Sequence, residues 1–145
     1  MSELKNFEDY QKIYQSSIDK PEIFWSEQAS KFTWTKPWDK IVEWDFHTGN
    51  TKWFLGGKMN ITVNCLDRHL KSRANKIALI WEPNNPEATI RSFTYLELLD
   101  RVCQCANALR QIGIQKGDRV CLYMPMIPEL TIALLACARI GAVHS

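Results

Sequence analysis

The side chains that could perform acid–base chemistry are few, and their spacing does not assemble a site. Asp67 and His69 would make an acid–base pair if their side chains met. Both fall in a segment predicted to be a helix, on which residues two apart point to different faces. We therefore predict that they do not act together, and that they make structural pairs or face the solvent.

The turn Gly56-Gly57-Lys58 is superficially similar to a phosphate-binding loop. Such a loop has the pattern G-x-x-x-x-G-K-[ST] between a strand and a helix, and its final hydroxyl group binds the metal ion of the nucleotide. Met59 stands where the Ser or Thr would be. The sequence therefore predicts an ordinary turn, and a small, complete nucleotide-binding enzyme would lack its main motif.

The chain has five cysteines and three histidines. No C-x-x-C pair occurs and the histidines are far apart, so no zinc site is predicted. The odd cysteine count and the apolar segments around most of them indicate buried, reduced thiols in a cytoplasmic protein. The residues concerned are Cys65, Cys103, Cys105, Cys121, Cys137, His47, His69 and His144.

Three side chains lie where a predicted strand ends, the place at which open α/β sheets bind their ligands. Tyr123, Met124 and Met126 belong to or follow the apolar run 120–124. They could line a site, or they could pack as ordinary core and loop residues. His144 lies in another apolar run and is predicted to be a core residue with its hydrogen bonds satisfied.

Residues 117–145 have the pattern of a strand, a helix and the beginning of a second, parallel strand. Gly117 opens the apolar run 120–124 and Pro125 closes it. Pro128 suits the first position of a helix, and Gly141 suits its C-terminal end. An apolar run then begins again, so the segment is predicted to be a βαβ unit in an α/β fold.

Periodicity, capping residues and turn chemistry predict the other elements. The longest is a helix from Tyr95, which Thr94 and Glu97 open as a capping box and Gly113 ends. The others are a helix over 7–18, a helix from Pro21 with inner residues Ile23, Phe24, Trp25 and Ala29, a hairpin of 41–46 with 52–54, a helix from Asn60 to near Asn75, and a hairpin of 77–81 with 90–93.

Charge and hydropathy argue against two classes of partner. The net charge is +2 and no basic stripe occurs, which is unlike a nucleic-acid-binding protein. Residues 1–5 have no apolar segment of a signal peptide. The most apolar window, 120–143, is interrupted by prolines and charges, unlike a membrane span. We predict a cytoplasmic protein that binds neither nucleic acid nor membrane.

Six motifs carry a resemblance to a known family. They are 24–25 (FW), 64–70 (NCLDRHL), 93–98 (FTYLEL), 117–120 (GDRV), 123–126 (YMPM) and 137–145 (CARIGAVHS). In order and spacing they resemble the N-terminal portion of the AMP-forming acetyl-CoA synthetases, in the superfamily of adenylate-forming acyl-CoA synthetases. The resemblance implies a truncated α/β chain, with an N-terminal extension over 1–66 and the first βα elements of the large N-terminal, AMP-binding domain over 67–145.

The resemblance implies that the parent enzyme is an acetate–CoA ligase. Acetate attacks the α-phosphate of Mg-ATP to give acetyl-adenylate and pyrophosphate, and the thiol of CoA then displaces AMP to give acetyl-CoA. The implied cofactors are ATP, CoA and Mg²⁺, and the implied partner is the remainder of the same polypeptide. The family's phosphate loop, acyl pocket, CoA contacts and C-terminal lysine all follow Ser145, so no catalytic, cofactor-binding or metal-binding residue is assigned.

The chain alone is therefore expected to be inactive and to bind none of these ligands tightly. Two alternatives stay open. The parent could be a propionyl-CoA synthetase, since the residues that select the acyl chain are not among these. The chain could also be a short, non-catalytic binding or interaction module derived from the same domain.

Overall fold

The computed structural model describes residues 4–145, and these divide into two compact units. The first unit ends at Met59, and the second is Asn60–Ser145. No helix within residues 4–145 is both long enough and apolar enough to cross a membrane.

Two helices begin the first unit, as predicted. Helix α1 (Phe7–Asp19) starts after Asn6, whose side-chain oxygen accepts the backbone N–H of Asp9 at 2.9 Å. Helix α2 (Pro21–Ala29) starts at a proline, for which the missing N–H costs nothing at this position. None of the residues of α1 is buried, so this helix contributes little to a core.

The predicted inner face of α2 is correct only in part. Ala29 is buried and Phe24 is half-buried, whereas Ile23 and Trp25 are exposed. Three consecutive residues of a helix point in directions about 100° apart, so one packed face cannot cover all of Ile23, Phe24 and Trp25.

A hairpin follows, confirming the prediction. Strand β1 (Lys40–Asp45) pairs antiparallel with β2 (Asn50–Leu55), and Val42 lies opposite Trp53. In the connecting turn the carboxylate of Asp45 accepts the backbone N–H of His47 at 2.9 Å and the hydroxyl of Thr48 at 3.0 Å. These bonds hold the turn that sets the register of the two strands.

Aromatic side chains pack beside this hairpin. The rings of Trp34, Trp38 and Phe54 lie 5.0 to 5.6 Å apart between centroids. The indole N–H of Trp34 donates to the carbonyl of Ala29 at 2.8 Å. A Cβ atom added to Gly57 would lie 2.7 Å from the Trp34 ring, so a glycine there allows the ring to lie against the turn.

The second unit opens with a broken helical segment, and here the prediction of one helix from Asn60 to near Asn75 is wrong. The segment divides into α3 (Ile61–Cys65), a 3-10 turn (Asp67–His69) and α4 (Leu70–Arg73). The break lies at Leu66, which has φ −122° and ψ −68° and is 2% exposed. The tertiary contacts of this buried residue therefore override the local preference for a continuous helix.

A second hairpin and a long helix confirm their predictions. Strand β3 (Ile77–Trp81) pairs antiparallel with β4 (Arg91–Thr94). Helix α5 (Tyr95–Gln111) begins with the predicted capping box, in which Thr94 Oγ1 accepts the N–H of Glu97 at 3.2 Å and a Glu97 oxygen accepts the N–H of Thr94 at 2.8 Å.

The βαβ unit is present, with shorter strands than expected. Strand β5 (Arg119–Val120) pairs in parallel with strand β6 (Val143–His144), and helix α6 (Pro128–Ile140) connects the two along the chain. The predicted strand 120–124 is too long, because only its first residue has a strand partner among the described residues. One further backbone bond, from Leu122 N–H to the carbonyl of Ser145 at 2.8 Å, continues the pairing.

The core of the second unit lies between α5 and α6. Val102 of α5 and Ala136 and Cys137 of α6 are fully buried. Gly141 ends α6 in the left-handed conformation, with φ 78°, which confirms the prediction that this glycine marks the C-terminal end of the helix. The buried cluster consists of Leu66, Leu98, Val102, Ala106, Ile132, Ala136, Cys137, Ile140 and Ala142.

Candidate functional site

The loop 121–127 is the candidate site, because it follows β5 at the carboxyl end of a parallel pair of strands. Open α/β sheets bind ligands at this edge. Met126 lines a pocket with a volume of about 450 Å³, together with Trp81, Glu82 and Asn84 of the β3–β4 hairpin. This volume falls within the range of small-molecule pockets. The surface is mainly apolar, and it carries one carboxylate and one amide.

The three side chains predicted for this edge do not converge. Tyr123 is fully exposed, Met126 is 83% exposed, and Met124 lines a different cleft, beside Arg91 and Glu129. The structure therefore confirms that these residues lie at the edge of the sheet, but it does not bring them together into one site.

Two side-chain contacts from the β3–β4 hairpin reach the loop and the start of α6, and no sequence pattern indicates either of them. The indole N–H of Trp81 donates to the carbonyl of Met126 at 2.8 Å. The guanidinium of Arg91 pairs with Glu129 at 2.7 Å and lies over the rings of Trp81 and Phe93, 5.9 and 5.5 Å from their centroids.

Glu129 is the charged group at the start of α6. The hydrogen bond from Arg91 and the backbone N–H of Glu129 itself lower the pKa of this carboxyl below its ordinary value. Glu129 also lies in the first turn, where the helix dipole favours a negative charge. Its Oε2 atom is buried and has no hydrogen-bond partner among the described residues. The other oxygen is held by Arg91, so the group acts as a structural anion.

A second polar cluster lies at the opposite end of α6. Arg139 pairs with Asp67 through two hydrogen bonds of 2.9 Å, a bidentate arrangement. The bonds from Arg139 lower the pKa of Asp67 against the opposing effect of burial, and they raise the pKa of Arg139. The prediction that Asp67 makes a structural pair is therefore confirmed. His69 instead packs its ring 5.1 Å from that of Tyr95.

Asn60 joins two helix ends in this cluster. Its side-chain oxygen accepts the backbone N–H of Thr62 at 3.0 Å, which caps α3 as predicted. Its side-chain N–H₂ donates to the carbonyl of Arg139 at 2.9 Å, in the last turn of α6. The cluster Asn60–Asp67–Arg139 therefore fixes the end of α6 just before β6 begins.

The remaining sequence candidates carry no assembled chemistry. Gly56-Gly57-Lys58 follows β2, and Lys58 pairs with Lys36 in an isolated β-bridge. Helix α3 begins only at Ile61, so this turn does not pass directly into a helix as a phosphate-binding loop does. His144 is exposed on β6, so its predicted place in the core is wrong. Among the described residues β6 pairs with β5 alone, which leaves the two strands a small sheet with little surface to bury this side chain. Residues 4–145 bring no three His, Cys, Asp or Glu side chains close enough to hold a metal ion.

The cysteines are free thiols, as predicted, but their burial varies. Cys137 is buried, Cys103 and Cys105 are half-buried, and Cys65 and Cys121 are exposed. Burial raises the pKa of the Cys105 and Cys137 thiols. The expectation of buried thiols is therefore wrong for Cys65 and Cys121, which lie at the end of α3 and in the loop after β5.

Known protein families match both parts of the chain. The family profile described as "Acetyl-coenzyme A synthetase N-terminus" matches residues 10–65, and the profile described as "AMP-binding enzyme" matches residues 66–145. The acetyl-coenzyme A synthetase of Saccharophagus degradans is 55% identical over 97% of this chain. That of Magnetococcus marinus is 53% identical over 98% of it.

A solved structure agrees with the sequence matches. The acetoacetyl-CoA synthetase from Streptomyces lividans is similar with a TM-score of 0.80 and 29% identity, over 90% of this chain and 20% of that one. It confirms the predicted α/β fold of an adenylate-forming enzyme. The chain spans about a fifth of the curated relatives it matches, 22% of each of the two named above. Because the AMP-binding profile covers more than half of its residues, the chain belongs to the AMP-binding enzyme family and carries, before that region, an N-terminal segment of the acetyl-coenzyme A synthetase type.

Proposed function

We propose that this chain is the N-terminal portion of an AMP-forming acetate–CoA ligase. The observation that carries the proposal is the identity of 53% to 55% with acetyl-coenzyme A synthetases, which extends across nearly the whole chain. The two family profiles follow one another without a gap, at residues 65 and 66. We accordingly propose an extension over 1–66 and the start of the AMP-binding domain over 67–145.

The reaction of the whole enzyme would proceed in two steps. The carboxylate of acetate attacks the α-phosphate of ATP, and pyrophosphate leaves. The CoA sulfur then attacks the acetyl carbonyl carbon, and AMP leaves. Mg²⁺ would neutralise the phosphates in the first step. We place this enzyme in the cytoplasm, on the cysteine pattern of the sequence, and its partners would be these small molecules and the rest of the polypeptide.

The part of the chain that the structure describes has no set of donors that fits the nucleotide phosphates or their metal ion. The glycine–lysine turn does not pass directly into a helix, because α3 begins only at Ile61, and no metal-ligand cluster occurs in residues 4–145. No step is therefore assigned to a residue of this chain. Its role in the enzyme would be that of a framework, in which α5 and α6 pack together and present the carboxyl edge of β5 and β6.

The test is an assay of the complete open reading frame that encodes this chain. We expect acetate-dependent formation of AMP and acetyl-CoA, with acetate preferred over propionate. A preference for propionate would instead identify a propionyl-CoA synthetase. We expect the 145-residue chain alone to catalyse no acetate-dependent exchange of pyrophosphate into ATP. Exchange by that chain would disprove the framework role, and a stop codon directly after Ser145 would favour a non-catalytic module.

A further inference from the structure

The loop 121–127 has few backbone bonds of its own to fix its course. Leu122 N–H donates to the carbonyl of Ser145 at 2.8 Å, and Ile127 N–H donates to the carbonyl of Pro125 at 2.9 Å. Pro125 and Pro128 have no N–H to donate. Most of the side chains between them and β5 are exposed. The position of this loop must therefore depend on contacts from elsewhere in the second unit.

The β3–β4 hairpin supplies those contacts at two points. Trp81, the last residue of β3, donates its indole N–H to the carbonyl of Met126, 45 residues away. Arg91, the first residue of β4, pairs with Glu129, 38 residues away, in the first turn of α6. The two contacts lie on either side of the junction between the loop and the helix.

The two contacts are themselves connected. The guanidinium of Arg91 lies 5.9 Å from the centroid of the Trp81 ring, a cation–π distance. The Trp81 ring is thus covered by Arg91 while its N–H is directed to the loop carbonyl. This arrangement restricts the indole more than a hydrogen bond alone would. It makes Trp81 the residue through which the hairpin sets the position of Met126.

We propose that Trp81 is a positioning residue for the ligand site at the carboxyl edge of β5 and β6. It acts through the loop 121–127 and does not itself take part in the reaction. This inference rests on the proposed function, because a ligand site at this edge is expected of an adenylate-forming α/β enzyme. The indole N–H and the Arg91–Glu129 pair hold the loop in the course that the site requires.

The experiment uses the complete enzyme encoded by this gene, with Trp81→Phe as the main variant. Phenylalanine keeps an aromatic ring for Arg91 to cover but removes the N–H donor. Trp44→Phe is the matched control, since Trp44 is 68% exposed on β1 of the first unit. We expect Trp81→Phe to raise the KM of at least one of ATP, acetate and CoA three- to tenfold, with kcat within twofold and the melting temperature within about 2 °C of the wild type.

Two outcomes with Trp81→Phe would overturn the inference. One is a set of three KM values within twofold of the wild type. The other is a fall of the melting temperature with a matching loss of active enzyme, which would make Trp81 merely a packing residue. Glu129→Gln keeps a hydrogen-bond acceptor for Arg91 but removes the charge, and it should raise the same KM by a smaller factor. A rise in a different KM would also count against the inference.

A second measurement separates this inference from the proposed function. If the wild-type protein showed no acetate-dependent activity, the proposed function would fail, but the position of the loop could still be measured. Hydrogen exchange of the Leu122 and Ile127 amides should be at least tenfold faster in Trp81→Phe than in Trp44→Phe. Equal exchange rates in the two variants would show that Trp81 does not hold the loop.

Discussion

The two compact units are stabilised in different ways. In the first, aromatic rings pack against one another at the edge of a hairpin, and its buried hydrophobic side chains are Ala29, Ile41 and Val42 among the residues described. In the second, two helices enclose a continuous apolar cluster, and a bidentate ion pair holds one end of α6. A substitution of the same type should therefore have a larger effect in the second unit.

The two units also differ in how far the apolar side chains of their helices are buried. Helix α1 carries a row of aromatic residues, Phe7, Tyr10 and Tyr14, whose rings stack at 6.0 and 6.1 Å while 48% to 69% of each side chain stays exposed. On α5 the corresponding apolar row, Leu98, Val102 and Ala106, is at most 4% exposed. The sequences of α1 and α5 therefore have a similar apolar periodicity, but of these two helices only α5, in the second unit, has its apolar row buried.

The largest expected effect is that of Leu98→Ala. Leu98 is 4% exposed, and shortening a buried leucine in this way costs about 2 to 5 kcal/mol, because transfer energy is lost and a cavity remains. Thermal or urea unfolding of the second unit measures it. The control is Leu96→Ala on the same helix, where the side chain is 43% exposed and the cost should stay below about 1 kcal/mol. Equal losses in the two variants would contradict the assignment of the core.

The next effect should come from the ion pair at the end of α6. Asp67 and Arg139 are 30% and 26% exposed, so removing either charge by Asp67→Asn or Arg139→Met should cost about 1 to 3 kcal/mol. The pair Lys36–Asp39 of the first unit is the comparison, since Lys36 is 49% and Asp39 68% exposed, and this pair should contribute less than about 1 kcal/mol. Double-mutant cycles on both pairs measure the coupling energies. A larger coupling for the exposed pair would reverse the comparison.

The features that could be predicted from the sequence are those whose partners lie close together in the chain. Thr94 and Glu97 are three residues apart, so the motif itself predicts both hydrogen bonds of the capping box. Likewise Pro128 and Gly141 mark the ends of α6 by their own backbone preferences. Local chemistry is enough in these cases, since no other part of the chain needs to be known.

The features that could not be predicted depend on distant partners. Arg139 and Asp67 are 72 residues apart, and no periodicity links them. The break at Leu66 follows from its burial in a core that α5 and α6 create. For the candidate site, the sequence placed Tyr123, Met124 and Met126 at the right edge, but it could not identify Trp81 as the residue that holds their loop.

A smaller effect should distinguish the two helix caps. Thr94→Ala removes the cap of α5 and should cost the second unit about 1 kcal/mol of unfolding free energy. Asn6→Ala removes the cap of α1, which has no buried residue to couple it to a core. That variant should therefore lower the helicity of α1 without moving the cooperative transition. Circular dichroism with thermal unfolding measures both, and a shift of the main transition in Asn6→Ala would contradict the expectation.

The smallest effect is expected in the acid dependence of the hairpin turn. Hydrogen bonds from the backbone of His47 and the hydroxyl of Thr48 lower the pKa of Asp45 below its ordinary value of 3.8. A lowered folded-state pKa means that the turn is stabilised above about pH 4 and loses this stabilisation as the pH falls through the folded value. In Asp45→Asn the hairpin should lack this acid transition. Chemical shifts of the Thr48 and His47 amides between pH 6 and about 2 follow it. Asp67 has a lowered pKa in the second unit, so Asp67→Asn is the matched variant, and it should leave the transition at the hairpin amides unchanged.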